Sequence, residues 1–249
     1  MREFITGAGY LLRGYSLLRV PSLRRYVVVP LLINTLLFAG IVLLGGQMFG
    51  HLIDGLLAAV PTWLQWLGWV LWPLFVITAG IVVFFTFTVI ANLLGAPFNG
   101  LLAESVERYL TGESAPSSSG VRDLIAGVLP AIHGELVKAG YLLLRAIPLL
   151  LLFLVPVVNA AAPFIWAIFG SWMLALEYFD YPLGNQRMAF PEQRRLVKNH
   201  RSLTLGFGGA TMIASMIPVV NFVVMPAAVA GATALYVARL RRTESVTGL

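Results

Sequence analysis

The chain has no cysteine in its 249 residues, so it can build no disulfide framework and offers no thiolate for catalysis or metal binding. Charge is scarce as well. Only 11% of residues are Asp, Glu, Lys or Arg, against roughly a quarter in soluble domains. Four blocks hold no charge at all: Tyr26 to Gly50, Gly55 to Ala103, Ala146 to Leu176 and Ser202 to Ala238. Each exceeds the roughly 18 apolar residues that mark a helix able to cross a bilayer. The chain therefore reads as an integral membrane protein. Phosphate-binding GxxxxGK[ST] loops are missing too, which excludes ATP hydrolysis by that route. The three histidines, His51, His133 and His200, are isolated from one another and match no zinc spacing. With no nucleophile or metal cluster in sight, neither an enzyme nor a bound metal or cofactor is expected. No cleavable signal is expected at Met1 to Arg19, where Arg2, Glu3 and Arg13 interrupt any apolar core.

What charge there is follows a pattern. The net charge is +6, yet the basic residues are divided between the apolar blocks rather than gathered on one soluble module, so nucleic acid is not an expected partner. All 17 Lys and Arg fall before Tyr26, between Arg108 and Arg145, between Arg187 and Arg201, or at Arg239 to Arg242. Basic residues collect in cytoplasmic loops. If every cluster is cytoplasmic, so are both termini, and the chain must enter the membrane and return between successive clusters. The region from Tyr26 to Ala103 is ample for two full crossings, with Trp63, Trp66, Trp69 and Trp72 suited to an aromatic belt at the far interface. Ala146 to Leu176 is too short for two spans of about 20 residues each, and Ser202 to Ala238 falls just short.

Those two short blocks carry a repeated signal. VPVVNAAAPF at 155–164 and IPVVNFVVMP at 217–226 both read Pro-Val-Val-Asn, then Pro, then a stretch of small residues. Proline disrupts a helix interior, and asparagine supplies turn hydrogen bonds. Pro156 and Asn159, and Pro218 and Asn221 with Pro226, are thus expected at the tips of two helical hairpins that penetrate part way and turn back. A proline-kinked single span in each block is the alternative. Irregular backbone at membrane depth must be covered by protein or line a pathway, and broken helices in repeated halves build the central sites of many transporters. The expected organisation is a single membrane domain over 1–249. It has an interfacial helix at 3–19, transmembrane helices at 22–46 and 69–111, an amphipathic helix at 121–145, and re-entrant hairpins at 146–177 and 203–239. In the first of these, Phe4, Leu11, Leu12, Tyr15 and Leu18 form the expected apolar face. GESAPSSSG at 112–120 reads as a loop, the tail after Arg242 as frayed, and the glycines of LGFGGAT at 205–211 as helix-packing positions.

Three polar groups suit an anion. In PSLRRY, 21–26, Pro21 or Ser22 starts a helix and leaves unpaired amides around Leu23 and Arg24 at its positive end, beside the guanidinium groups of Arg24 and Arg25. Simple lipid-phosphate anchors are the alternative. In APFNGLLAESVERYL, 96–110, Asn99 is the candidate N-cap, with Glu104 and Arg108 four apart on one face and Glu107 adjacent. These can gate an anion path or be a solvated surface pair. In EYFDYPLGNQR, 177–187, Glu177 and Asp180 end the first hairpin and Arg187 follows a proline-glycine turn, a set that reads most simply as a structural ion-pair network.

APFNGLLAE at 96–104, WLQWL and LLWPL at 63–75, EYFDYPLGN at 177–185 and IPVVNFVVMPAAVAGATA at 217–234 together resemble the CysZ-type sulfate permeases of bacterial inner membranes, over about Gly7 to Arg239. The resemblance implies an all-α integral membrane protein with two full crossings, two half-penetrating hairpins and amphipathic interfacial helices. It implies assembly into a homo-oligomer in the inner membrane, and channel-like sulfate uptake into the cytoplasm for assimilation toward cysteine, with no ATPase partner. By the same resemblance the Leu23-Arg24-Arg25 run matches a sulfate site, and Gly100 to Glu104 with Arg108 belongs to the pore. Arg187 departs from the family pattern and carries over weakly. Sulfate is fully ionised at neutral pH, so its site needs only donors, of the kind Ser22, Arg24, Arg25 and Asn99 provide. A proton-coupled carrier and a non-transporting scaffold remain the competing readings.

Overall fold

The computed structural model describes residues 1–59, 61, 66, 68–113 and 120–241. Among them it contains eight α-helices and no strand: α1 (Arg2–Leu17), α2 (Pro21–Ala59), α3 (Gly68–Thr111), α4 (Gly120–Leu151), α5 (Ala162–Asn185), α6 (Phe190–Asn199), α7 (Arg201–Ser215) and α8 (Pro218–Leu235). Short 3-10 turns separate α4 from α5, and a π-helical turn, Tyr236–Leu240, continues α8. Trp63 of the expected aromatic belt, positions 114–119 of the expected loop and the tail after Arg242 lie outside the described residues. So do the side chains of Asp123 and His133 on α4.

The chain forms two compact units, one of Met1–Arg24 with Asn99–Leu249, the other Arg25–Phe98. The second unit holds most of α2 and of α3. α2 has 39 residues, about 58 Å at 1.5 Å per residue, well beyond the roughly 30 Å of a bilayer's hydrocarbon core. It runs on through 47–59, past the expected end of the first transmembrane helix at 46. Beyond Leu23 its span Pro21–Met48 is left largely uncovered by the protein, and Leu31, Leu36, Leu43 and Leu44 stand exposed. Such a continuous apolar surface needs lipid to cover it. Thr35 and Thr78 return their hydroxyl protons to the carbonyls of Leu31 and Leu74, which satisfies both donors in that setting. Trp66, Trp69 and Trp72 are all exposed, as interfacial tryptophans are.

The first unit is built around α8. Ala227 to Leu235 is buried without interruption, because small side chains let α1, α5 and α7 come close to its backbone. α1 docks through glycine. A Cβ on Gly7 would strike the Leu203 carbonyl of α7, and one on Gly14 the Ala227 carbonyl of α8, while Gly206 faces the Phe4 carbonyl in return. Gly208 approaches the backbone of Ser171 on α5 in the same way, so the LGFGGAT glycines do serve helix packing. Phe179 of α5 and Phe207 of α7, both fully buried, meet edge to face at 5.6 Å. Lipid tails are as apolar as leucine, so this close backbone approach, rather than hydrophobic transfer, is what holds such helices together.

Several expectations need correction. The buried face of α1 is Gly7, Tyr10, Leu11, Gly14 and Leu17, whereas Phe4 and Leu12 are exposed. Pro156 and Asn159 lie in the break between α4 and α5, where Val157 takes a positive φ of 71° and the Asn159 amide donates to the Val155 carbonyl. The second break comes earlier than expected, at Met216 and Ile217: Pro218 occupies the first turn of α8, while Asn221 and Pro226 are helical. Proline suits a first helical position, since its missing amide proton is not needed there. Pro182 and Gly184 are likewise helical, and the turn falls at Gln186 and Arg187, the latter with φ 58°. Among the described residues, four stretches are long and apolar enough to cross a membrane: Pro21–Met48, Gly134–Leu154, Ala162–Asn185 and Pro218–Leu240. Two of them, the arms flanking Pro156, reach this length by extending past the charge-free block to include Glu135, Lys138, Arg145, Glu177 and Asp180.

Candidate functional site

The last four turns of α3 belong to the first unit, and their apolar side anchors them: Leu102, Ala103 and Val106 are fully buried. The helix thereby presents its polar residues at fixed heights. Asn99 is buried and faces the Tyr181 hydroxyl of α5, not a helix end, because α3 runs straight through it. It is therefore not an N-cap. Next to it, the Gly100 carbonyl accepts a hydrogen bond from Asn185 Nδ2 at 3.0 Å. These contacts fasten the α3 backbone to the end of α5.

One turn on, the charged residues divide into two sets. Glu104 and Arg108 form an i,i+4 pair at 2.6 Å, with half of the Arg108 side chain exposed. Glu107, on an adjacent face, is only 4% exposed. Gln186 Nε2 donates to both of its oxygens, at 3.0 and 3.1 Å, and Arg241 Nη1 stands 4.0 Å away. The second Arg241 nitrogen binds Glu113 at 2.6 Å. That hydrogen-bonded carboxylate raises the Arg241 pKa above its ordinary value, so Arg241 is cationic at any physiological pH. Glu107 is thus pinned by a neutral amide and a shared cation, whereas Arg108 is held by a single exposed partner. Three carboxylates against two guanidinium groups leave this cluster with an acidic excess.

A second polar knot joins α4 to α5. Lys138 of α4 binds Asp180 of α5 at 2.7 Å and Glu135 at 2.6 Å. Asp180 is thus part of a structural ion-pair network, as the simplest sequence reading has it, but its partner is Lys138 and not Arg187. Sequence reasoning passes over Asn185, Gln186 and Arg241. The first two lie in the quoted EYFDYPLGNQR, whose polar tail is itself a signal; Arg241 reads only as one more topology charge.

The arginine pair near the N-terminus is arranged differently from expectation. The amides of Leu23 and Arg24 both donate to the Val20 carbonyl, at 3.0 and 3.1 Å, so they are not free for an anion, and the Leu23 side chain is buried. Ser22 and Arg24 are exposed, and among the described residues Arg24 has no carboxylate in range. Arg25 donates to the Tyr26 hydroxyl at 2.9 Å and lies over its ring at 4.8 Å.

The residues brought together here include the APFNGLLAE and EYFDYPLGN motifs, now joined by the Asn185 to Gly100 bond, and comparison with known proteins places them. The family described as Sulfate transporter CysZ/Etoposide-induced protein 2.4 matches residues 10–226. The chain belongs to this CysZ sulfate transporter family. It is 42% identical over 242 residues to the sulfate transporter CysZ of Pseudomonas fluorescens strain Pf0-1, covering 97% of this chain and 96% of the relative. Against the protein of that name from Pseudomonas aeruginosa strain LESB58 it is 42% identical over 233 residues, 94% of this chain and 95% of the relative. With that of Pectobacterium atrosepticum it shares 38% over 241 residues, 96% of this chain and 87% of the relative. Membership makes the chain a multi-pass sulfate transporter of the membrane and not an enzyme.

Proposed function

We propose that the chain conducts sulfate across the bacterial inner membrane into the cytoplasm, channel-like and without ATP, to supply assimilation toward cysteine. The observation that carries this reading is the unequal fixing of Arg108 and Glu107 on adjacent faces of one helix. Arg108 shares an exposed ion pair, a type worth only about 0–1 kcal/mol. It can leave Glu104 for a passing dianion and return to it afterwards at little free-energy cost. Glu107 cannot turn away, and its fixed negative charge keeps the dianion from settling. Conduction requires binding strong enough to admit the ion and weak enough to release it.

In this reading Arg24 and Arg25, with the Ser22 hydroxyl, gather sulfate at the cytoplasmic mouth. Asn99 and Gly100 hold the pore helix in register rather than contact the ion. The chain works as a homo-oligomer, both termini cytoplasmic, with 146–177 and 203–239 as half-penetrating hairpins in one membrane domain.

The test is uptake of radiolabelled sulfate into proteoliposomes containing only this protein, with and without an imposed pH gradient. Uptake in the absence of a gradient is the expected result. Uptake only with a gradient would replace the channel by a proton-coupled carrier, and no uptake by correctly folded protein would leave a scaffold.

A further inference from the structure

Away from that cluster, α4, α5, α6 and the start of α7 line an open cavity of about 440 Å³ within the first unit. Ten residues line it, of which four are cationic, Arg145, Arg194, Lys198 and Arg201, and none is acidic. Among the described residues none of the four has a carboxylate within ion-pair distance. Two of them are also held together. The Arg145 guanidinium lies 4.5 Å from the Tyr141 ring centre and that of Arg194 5.1 Å from the same centre. The two like charges are thus within about 10 Å of each other, close to the screening length of about 8–10 Å at moderate salt. Repulsion between them calls for a compensating anion. The Tyr141 hydroxyl accepts from Trp172 Nε1 at 3.2 Å and keeps its own proton to donate.

The remaining walls are apolar: Ile165, Ile168, Phe169, Trp172 and Leu205. They continue into surface that the protein leaves uncovered, where Leu144, Ile147 and Ile168 are all more than half exposed on stretches long enough to span a membrane. A free inorganic anion has no use for such walls. A headgroup phosphate with acyl chains matches both halves of the cavity, since basic pockets between membrane helices take anionic headgroups.

We propose that this cavity binds the phosphate headgroup of an anionic phospholipid, with its acyl chains running along the apolar wall and out over Ile168. The site is separate from the Glu104 to Arg108 cluster and does not depend on how sulfate passes.

Binding is measured by titrating purified oligomer in detergent with phosphatidylglycerol, and with phosphatidylcholine of the same chains, and counting bound lipid by native mass spectrometry. The protein should prefer phosphatidylglycerol. Arg145→Gln with Arg194→Gln should weaken that lipid about thirty-fold, from the typical contribution of two basic residues near a membrane surface, and leave phosphatidylcholine unchanged. Arg145→Lys with Arg194→Lys should retain most of the preference. If the first pair fails to assemble, Lys198→Gln with Arg201→Gln carries the same expectation from another side of the cavity. Equal affinity of the native protein for the two lipids would overturn the proposal. So would a correctly assembled glutamine variant that keeps its preference, and full displacement of phosphatidylglycerol by excess sodium sulfate would make this a free-anion site instead.

Discussion

Gly14 and Gly9 lie on the same helix, and substitution by alanine should move stability in opposite directions. At Gly14 a Cβ would land inside the Ala227 carbonyl oxygen and 2.8 Å from the Gly231 amide nitrogen, both backbone atoms of α8. No side-chain rotation can relieve that. Non-bonded atoms pack at roughly 3.5–4.0 Å and the Ala227 oxygen would be 1.9 Å away, so α1 must retreat by about 1.5 Å or more, and a gap of even about 1 Å forfeits up to about half of each dispersion contact it opens. The contacts at stake include those of Tyr10, Leu11 and Leu17. Overpacking of this kind costs about 1–3 kcal/mol, while alanine returns about 1 kcal/mol in helix propensity. The balance is a net loss of up to about 2 kcal/mol, or up to roughly 8 °C in apparent melting temperature for a chain of this size. Gly9 has nothing within 4 Å of its would-be Cβ. Gly9→Ala should therefore raise the apparent melting temperature by about 2–4 °C through propensity alone. Tryptophan fluorescence of the purified protein, heated at one scan rate, reads both variants. If Gly14→Ala proved as stable as Gly9→Ala, the backbone-to-backbone docking of α1 on α8 would be wrong.

Three further variants address the charged groups. Arg108→Ala removes a half-exposed pair and should change stability by less than about 1 kcal/mol, yet reduce sulfate flux in proteoliposomes by about tenfold or more if Arg108 hands the ion through, as charge-assisted contacts are worth about 1.5–3 kcal/mol; unchanged flux would remove it from the path. Glu107→Leu leaves the Gln186 amide without its acceptor and should cost about 1–3 kcal/mol, whereas Glu107→Gln, which can still accept, should cost clearly less; the comparison is read in denaturation by temperature, and equal losses would contradict the pinning role. Arg24→Ala with Arg25→Ala should weaken sulfate binding by about tenfold or more, from two lost charge-assisted contacts, with little change in stability because both side chains are exposed; calorimetric titration with sulfate decides, and an unchanged isotherm would move the mouth elsewhere.

Much of the helical framework is readable from charge alone. The charge-free blocks become helices because an apolar run of that length has few other ways to satisfy its backbone in lipid. Boundaries are less legible. α4 runs unbroken from its charged half into its apolar half, so the block edge at Ala146 marks no structural event. Proline misleads in a particular way: Pro156 stands in a break, but Pro218 begins a helix, and Pro182 and Pro226 sit inside helices whose neighbours hold them. Reading α1 by its large apolar residues selects Phe4 and Leu12, whereas the docking face is chosen by Gly7 and Gly14, which an apolar periodicity overlooks. At the candidate site, Glu104, Glu107 and Arg108 are visible as a local i, i+3, i+4 set. Their partners Gln186 and Arg241 are not, since only the fold brings 186 and 241 beside 107.

The two polar regions of the first unit differ in sign, and the difference bears on what each can hold. A resting site for a dianion needs surplus positive charge, because every carboxylate nearby subtracts from the attraction. The Glu104 to Arg108 cluster has the opposite balance, with Glu104, Glu107 and Glu113 set against Arg108 and Arg241. A dianion brought there meets donors it can borrow and charges that expel it, which suits passage rather than storage. The cavity beside Tyr141 has four cations and no acid, which suits lasting occupancy. Assigning the first to the moving ion and the second to a resident headgroup uses both imbalances. Exchanging them would leave sulfate trapped among Arg145, Arg194, Lys198 and Arg201, and would place a lipid phosphate against three carboxylates.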